Sequence, residues 1–375
     1  MAIRPYFRSS MAASLILAAA TLAAQQSATP PANPEREFLS RVRRITLEGR
    51  RAGEGYWSKD GRHLVFQSER EPGNPFYQIY TLDLTTGEST RVSPGSGKTT
   101  CAFINPETGD VLFASTHHDP RTAQLQQEEL KFRASGQERR YAWDYDPEME
   151  LYVRDARTGT LRRLTNARGY DAEGSYSPDG QWIAFSSTRQ AYERELSPAD
   201  RKQLDADPSY YGEIYIMRAD GSALKRLTNV AGYDGGPFFS PDGRRIIWRR
   251  FDEQGLIADV WTMNIDGTDA RQITRFGAMS WAPYIHPSGQ YVVFASNKLG
   301  FENFEVYLVD IDGRKEPVRV TYSDGFDGLP VPSPDGRQLA WTSSRSGGRE
   351  GQIFLADWSH EKALAALAAA PPRRP

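Results

Sequence analysis

Apolar and polar side chains alternate through most of this chain, which predicts short β-strands rather than helices. Gln181-Trp182-Ile183-Ala184-Phe185-Ser186 is one such strand. Ile214-Tyr215-Ile216-Met217 is another, ending in the turn Arg218-Ala219-Asp220-Gly221. Period-two patterns bounded by Gly, Pro and Asp mark strands joined by tight turns. Aromatic stretches such as Pro237-Phe238-Phe239 lead into those turns, and short segments such as Lys225-Arg226-Leu227-Thr228 follow as outer strands.

The turns repeat. Ser177-Pro178-Asp179-Gly180 recurs as Ser240-Pro241-Asp242-Gly243 and Ser333-Pro334-Asp335-Gly336, with weaker copies at Ser58-Lys59-Asp60-Gly61, Asn105-Pro106-Glu107-Thr108-Gly109 and His286-Pro287-Ser288-Gly289. Their starts are separated by 47, 72, 63, 46 and 47 residues, so one unit recurs and two copies carry insertions. Pro presets the first central turn position, Asp bonds to the local backbone, and Gly takes the positive φ from which the next strand departs. Four strands in a unit of roughly 45 residues describe a propeller blade. The expectation is an all-β fold, a six-bladed β-propeller with four antiparallel strands per blade.

The ends of the chain fit a closed ring. The sixth unit stops after its third strand, Gln352 to Asp357, and Val42-Arg43-Arg44-Ile45-Thr46 before the first unit matches the missing fourth. A blade built from both termini removes two open sheet edges. The propeller is therefore expected over residues 41–358, after a leader (1–24) and a linker (25–40). A short helix and a Pro/Arg tail are expected over 359–375.

These six repeats resemble those of TolB-type propellers from about Phe38 to Trp358. The resemblance is closer still to the propeller that precedes zinc aminopeptidase domains in some exported bacterial proteins, with no peptidase domain expected after Trp358 here. TolB itself has a further α/β domain tied to its partner TolA, and only Gln25 to Ser40 stands in that place, so that role is not carried over.

Composition narrows the function. Arg4 and Arg8, the apolar run Met11 to Ala20, and the small residues Thr21-Leu22-Ala23-Ala24 read as a cleaved secretory signal. The apolar run is short for a membrane span. The net charge is −2, and loss of two arginines with the leader makes it −4, so nothing favours nucleic acid or an anionic membrane. A periplasmic destination follows. Cys101 is the single cysteine, which excludes an intramolecular disulfide and reads as a buried thiol on an inner strand.

Both long insertions, 117–148 and 189–212, fall between second and third strands of adjacent blades and so share one face. Ala123 to Phe132 has helical composition, and Ser197-Pro198-Ala199-Asp200 reads as a helix start. The same face receives Gly169-Tyr170-Asp171, Gly232-Tyr233-Asp234 and Gly325-Phe326-Asp327, each Asp six residues before its turn serine. The same offset gives Ala52, Thr99 and Ser280 in the other blades. This predicts a channel-mouth ring in which Asp171, Asp234, Asp327, Thr99 and Ser280 converge. Such a ring has the chemistry to hold Ca²⁺ or a ligand's ammonium group, or each Asp simply caps its own loop.

Other motifs carry less. Gly95-Ser96-Gly97-Lys98-Thr99 lacks the first glycine of a phosphate loop, its place being taken by Val92, and it joins two strands. His117-His118-Asp119 reads as a solvated loop pair, since neighbouring residues of an extended chain point to opposite sides. No nucleophile elbow, zinc-binding helix or Cys pair is present. The expectation is a module without catalysis or a required cofactor, binding a protein or peptide on the insert-bearing face. The alternatives are an accessory to a separately encoded hydrolase, or a metal-assisted propeller lyase or hydrolase.

Overall fold

In the computed structural model the twenty-four strands of the described residues form six sheets of four antiparallel strands, one sheet per blade. The described residues are 33–137, 144–345, 347 and 350–373. The expected leader and the first part of the expected linker lie outside them.

The inner strands are Arg51–Trp57, Thr99–Ile104, Asp171–Tyr176, Asp234–Phe239, Ser280–Ile285 and Asp327–Pro332. Each passes through its turn into a second strand, and the turns behave as their residues dictate. Ser177 Oγ accepts from Trp182 N at 3.0 Å, Asp179 Oδ1 accepts from Gln181 N at 3.1 Å, and Gly180 has φ +68°. In blade two Asn105 Oδ1 does the same work, accepting from the amides of Glu107 and Thr108.

Closure is as expected, with its strand set slightly earlier. Leu39–Arg44 pairs antiparallel with Gln352–Trp358, placing Leu39 opposite Trp358 and Arg44 opposite Phe354. Thr46 Oγ1 donates to Gln352 Oε1 at 2.8 Å and accepts from Ile353 N at 2.9 Å. In blade three Thr228 Oγ1 likewise bonds Glu213 and accepts from Ile214 N. The fourth strand of blade six is thus chemically the same piece as that of blade three. The propeller's packing takes in residues before 41, because Phe38 and Leu39 are buried, with Phe38 stacked on Trp358 at 6.0 Å.

The C-terminal segment forms the helix His360–Ala369, N-capped by Ser359. The chain beyond it crosses to blades four and five, where Arg373 N donates to Arg314 O and Arg373 Nη1 to Ile273 O. No described helix is long and apolar enough to cross a membrane.

Candidate functional site

Each inner strand carries a bulge at one position. The register shifts after Gly53, Thr100, Ala172, Gly235, Trp281 and Gly328. The next residue in every blade has a positive φ: Glu54 (52°), Cys101 (52°), Glu173 (59°), Gly236 (60°), Ala282 (49°) and Leu329 (55°). An unpaired residue in a bulge turns its side chain away from the regular pleat. All six line one small axial cavity of about 20 Å³, room for roughly one water molecule. They stand four residues before the turn, two beyond the offset that the sequence pattern suggested.

The cavity is polar at one side. Glu173 takes bonds from Arg249 Nη2 (2.7 Å), Tyr233 Oη (2.6 Å) and Gly236 N (2.6 Å). Arg249 reaches the axis from the second strand of blade four because Gly236 leaves space, as a Cβ there would stand 2.1 Å from Arg249 Nη1. Glu54 has the Cys101 thiol 3.5 Å from each carboxylate oxygen. Burial, reinforced by Glu173, pushes the Glu54 carboxyl up to about 7, against the pull of Cys101 and Arg249. Burial likewise raises the Cys101 thiol well above its ordinary range, so it stays protonated and poorly nucleophilic. Rings of Tyr56, Phe103, Phe238 and Tyr284 pack together on the side toward the turns.

The three aspartates of the expected ring are fully buried at the starts of their inner strands, and each is held within its own blade. Asp171 bonds Ser187 and Arg189. Asp234 takes Arg250 Nε and Nη2 at 2.7 and 2.8 Å and Trp248 Nε1 at 2.9 Å. Asp327 takes Trp341 Nε1 at 3.1 Å and Arg345 Nη2 at 2.7 Å. Thr99 Oγ1 donates to Tyr77 O at 2.8 Å, whereas the buried Ser280 hydroxyl finds no partner. These five residues are not brought into one cavity. The simple loop-capping role is also corrected, since the carboxylates bind side chains of the second strand and of the segment just after it. Among the described residues no three His, Cys, Asp or Glu side chains group to hold a metal, so the Ca²⁺ site has no ligand set at the aspartates. The signal missed in the sequence is an arginine 16 or 18 residues after each Asp, at Arg189, Arg250 and Arg345.

The other motifs resolve locally. Lys98 Nζ binds Asp144 and Asp146 at 2.6 and 2.7 Å, tying the first insert to blade two. His117 and His118 are partly buried rather than solvated, and both lie on Tyr152. The His117 ring is 4.3 Å from the Tyr152 ring, and His118 Nδ1 is 3.0 Å from its hydroxyl. Burial, with His118 and Arg163 nearby, lowers the His117 imidazole to about 4.

The insert-bearing face is the one with exposed apolar surface. The first insert contains the helix Thr122–Ala134, which buries no side chain and is held by polar contacts. Arg133 Nη2 donates to Pro75 O at 2.8 Å, and Gln126 Oε1 accepts from Gly97 N at 3.0 Å. The second insert forms the helix Pro198–Ala206, capped by Ser197 as expected, with Ala191, Leu204 and Tyr211 as its own small core. Nine large apolar side chains are exposed among the described residues. Seven of the nine lie on this face: Leu47, Val230 and Tyr322 on loops entering inner strands, and Leu256, Ile257, Leu299 and Phe301 on second-to-third-strand loops of blades four and five.

No family model matches the chain. It is 26% identical over 215 residues to an uncharacterised protein of Agrobacterium fabrum, covering 52% of this chain and 64% of that protein. It is 31% identical over 120 residues to a TolB homologue of Chlorobium chlorochromatii, covering 26% of this chain and 27% of the homologue. The chain thus spans less than two thirds of these relatives. Among solved structures, a TolB-named protein of Agrobacterium tumefaciens superposes with a TM-score of 0.56 at 21% identity, over 85% of this chain and 97% of that one. An oligogalacturonate lyase of Vibrio parahaemolyticus superposes with a TM-score of 0.52 at 14% identity, over 86% and 94%. The fold is a TolB-like six-bladed propeller, an architecture that enzymes share.

Proposed function

We propose that this protein is an exported module that captures a protein or peptide partner on its insert-bearing face and has no catalysis of its own. One observation carries the reading: seven of nine exposed large apolar side chains crowd onto that face. Apolar side chains gathered on one face mark interaction sites, whereas scattered ones need no explanation. At the axis itself, the cavity of about 20 Å³ around Glu54, Cys101 and Glu173 is too small to admit a substrate. The leader-like first 24 residues support export to the periplasm. The peptidase-associated propellers that these repeats resemble favour a partner that is itself a hydrolase.

The test is co-purification from periplasmic extract with the wild type and with the double variant Leu256→Ser/Phe301→Ser. A specific partner retained by the wild type and lost by the variant, at unchanged melting temperature, is the expected result. Equal retention by both would overturn the assignment of the face. Turnover of an ester, peptide or glycoside substrate that one point substitution abolishes would overturn the non-catalytic half.

A further inference from the structure

On the same face a cleft of about 220 Å³ opens between the second insert and the loop following the second strand of blade four. Its walls include the rings of Tyr145, Tyr210, Tyr233 and Phe251. Tyr145 meets Tyr233 edge-on at 5.4 Å, and Tyr233 lies nearly parallel to Phe251 at 5.8 Å. Three carboxylates, Asp207, Asp252 and Glu253, also line the cleft, and no Lys or Arg does. Asp207 Oδ1 accepts from Ser209 N at 3.0 Å. Asp252 Oδ1 accepts from the amides of Leu256 and Ile257 at 2.8 and 3.2 Å. These loop bonds engage one oxygen of each aspartate.

We infer that this cleft receives an arginine or lysine side chain of the partner. The inference rests on the binding role proposed above and specifies its chemistry. Ring faces attract a cation through their quadrupoles, and carboxylates supply the counter-charge. An acidic or phosphorylated residue would meet three like charges, and the nearest cation, Arg249 behind the Tyr233 ring, is buried and already paired with Glu173. The volume suits one long side chain and falls below the range of cofactor-sized pockets. Leu256 and Ile257 follow the lining loop directly and are exposed, so apolar neighbours of the basic residue have a surface to lie on.

The test uses N-acetyl-arginine methylamide and its uncharged citrulline counterpart, titrated into isotope-labelled full-length protein and followed by amide chemical shifts. The arginine compound should shift the amides of residues 207–210 and 252–255 saturably, and citrulline should bind about tenfold more weakly or less. The variant Asp207→Asn/Asp252→Asn/Glu253→Gln keeps the loop acceptors, and it should weaken arginine binding by a similar factor. Equal responses to the two compounds, shifts confined to other regions, or unchanged binding by the triple variant would each overturn the inference. The small probe does not need Phe301, so Leu256→Ser/Phe301→Ser should bind it normally. Partner capture that survives this double variant would defeat the proposed face and leave the cleft result standing.

Discussion

At Asp234, two bonds from Arg250 and one from Trp248 converge on a carboxylate with no exposed surface. Burying an ion pair is not itself a source of stability, but removing one partner leaves the other charge without compensation. Asp234→Asn should therefore destabilise the fold by about 3 kcal/mol in urea titrations, although Asn satisfies a capping role. A loss below about 0.5 kcal/mol, the size usual for a surface change, would contradict the pairing. Glu54 makes a pH prediction. Its folded value of about 7 lies above the ordinary 4.5, so the folded state binds the proton more tightly. The sign follows: its contribution is complete below pH 4.5 and is lost as the pH rises through 7. Glu54 should contribute up to about 3 kcal/mol of downward slope to the unfolding free energy across that range, beside the similarly raised Asp171 and Glu213, and Glu54→Gln should remove that share. Parallel pH profiles would refute it.

Among the elements, the helix Thr122–Ala134 is held by ionic and polar contacts where most helices use an apolar face. Its anchor is Glu69, which pairs with Arg133, Arg51 and Arg50. Burial favours the neutral acid, but those three guanidinium groups outweigh it and hold the carboxyl below its usual value. A depressed carboxylate contributes stability above its unfolded value and loses it as the pH falls through the folded one. Hydrogen exchange in residues 122–134 should therefore accelerate relative to its intrinsic rate as the pH drops below the ordinary carboxylate value of 4.5, while the blades stay protected. Glu69→Gln should produce the same acceleration at neutral pH. Uniform protection in both experiments would show that the helix is secured otherwise.

At the scale of the whole molecule, closure depends on a strand contributed from the opposite end of the chain. Deleting residues through Thr46 removes the pairing with Gln352–Trp358 and the buried Phe38 and Leu39. Blade six would regain an open edge, and the melting temperature should fall by more than about 5 °C. Thr46→Val tests the same junction gently. It removes the hydroxyl between Gln352 and Ile353 and should cost about 1 to 2 kcal/mol. An unchanged melting temperature in the truncated chain would mean that the ring does not depend on its terminal strand.

The blade count, turn positions, closing strand and insert helices were legible in the sequence because each depends on local chemistry repeated at a nearly fixed spacing. Proline, aspartate and glycine in a turn, and threonine ending an outer strand, act on neighbours a few bonds away. The residues at the axis were not legible. A bulge shifts the inward-facing position by two residues, and it leaves no mark in a pattern of alternating side chains. Asp171, Asp234 and Asp327 shared an offset, yet their partners Arg189, Arg250 and Arg345 stand at or just past the ends of second strands, a contact that strand pairing rather than sequence spacing creates. The exposed apolar face is likewise a property of the folded chain. Leu47, Leu256 and Phe301 are far apart in sequence and ordinary in composition, and only the ring places their loops on one surface.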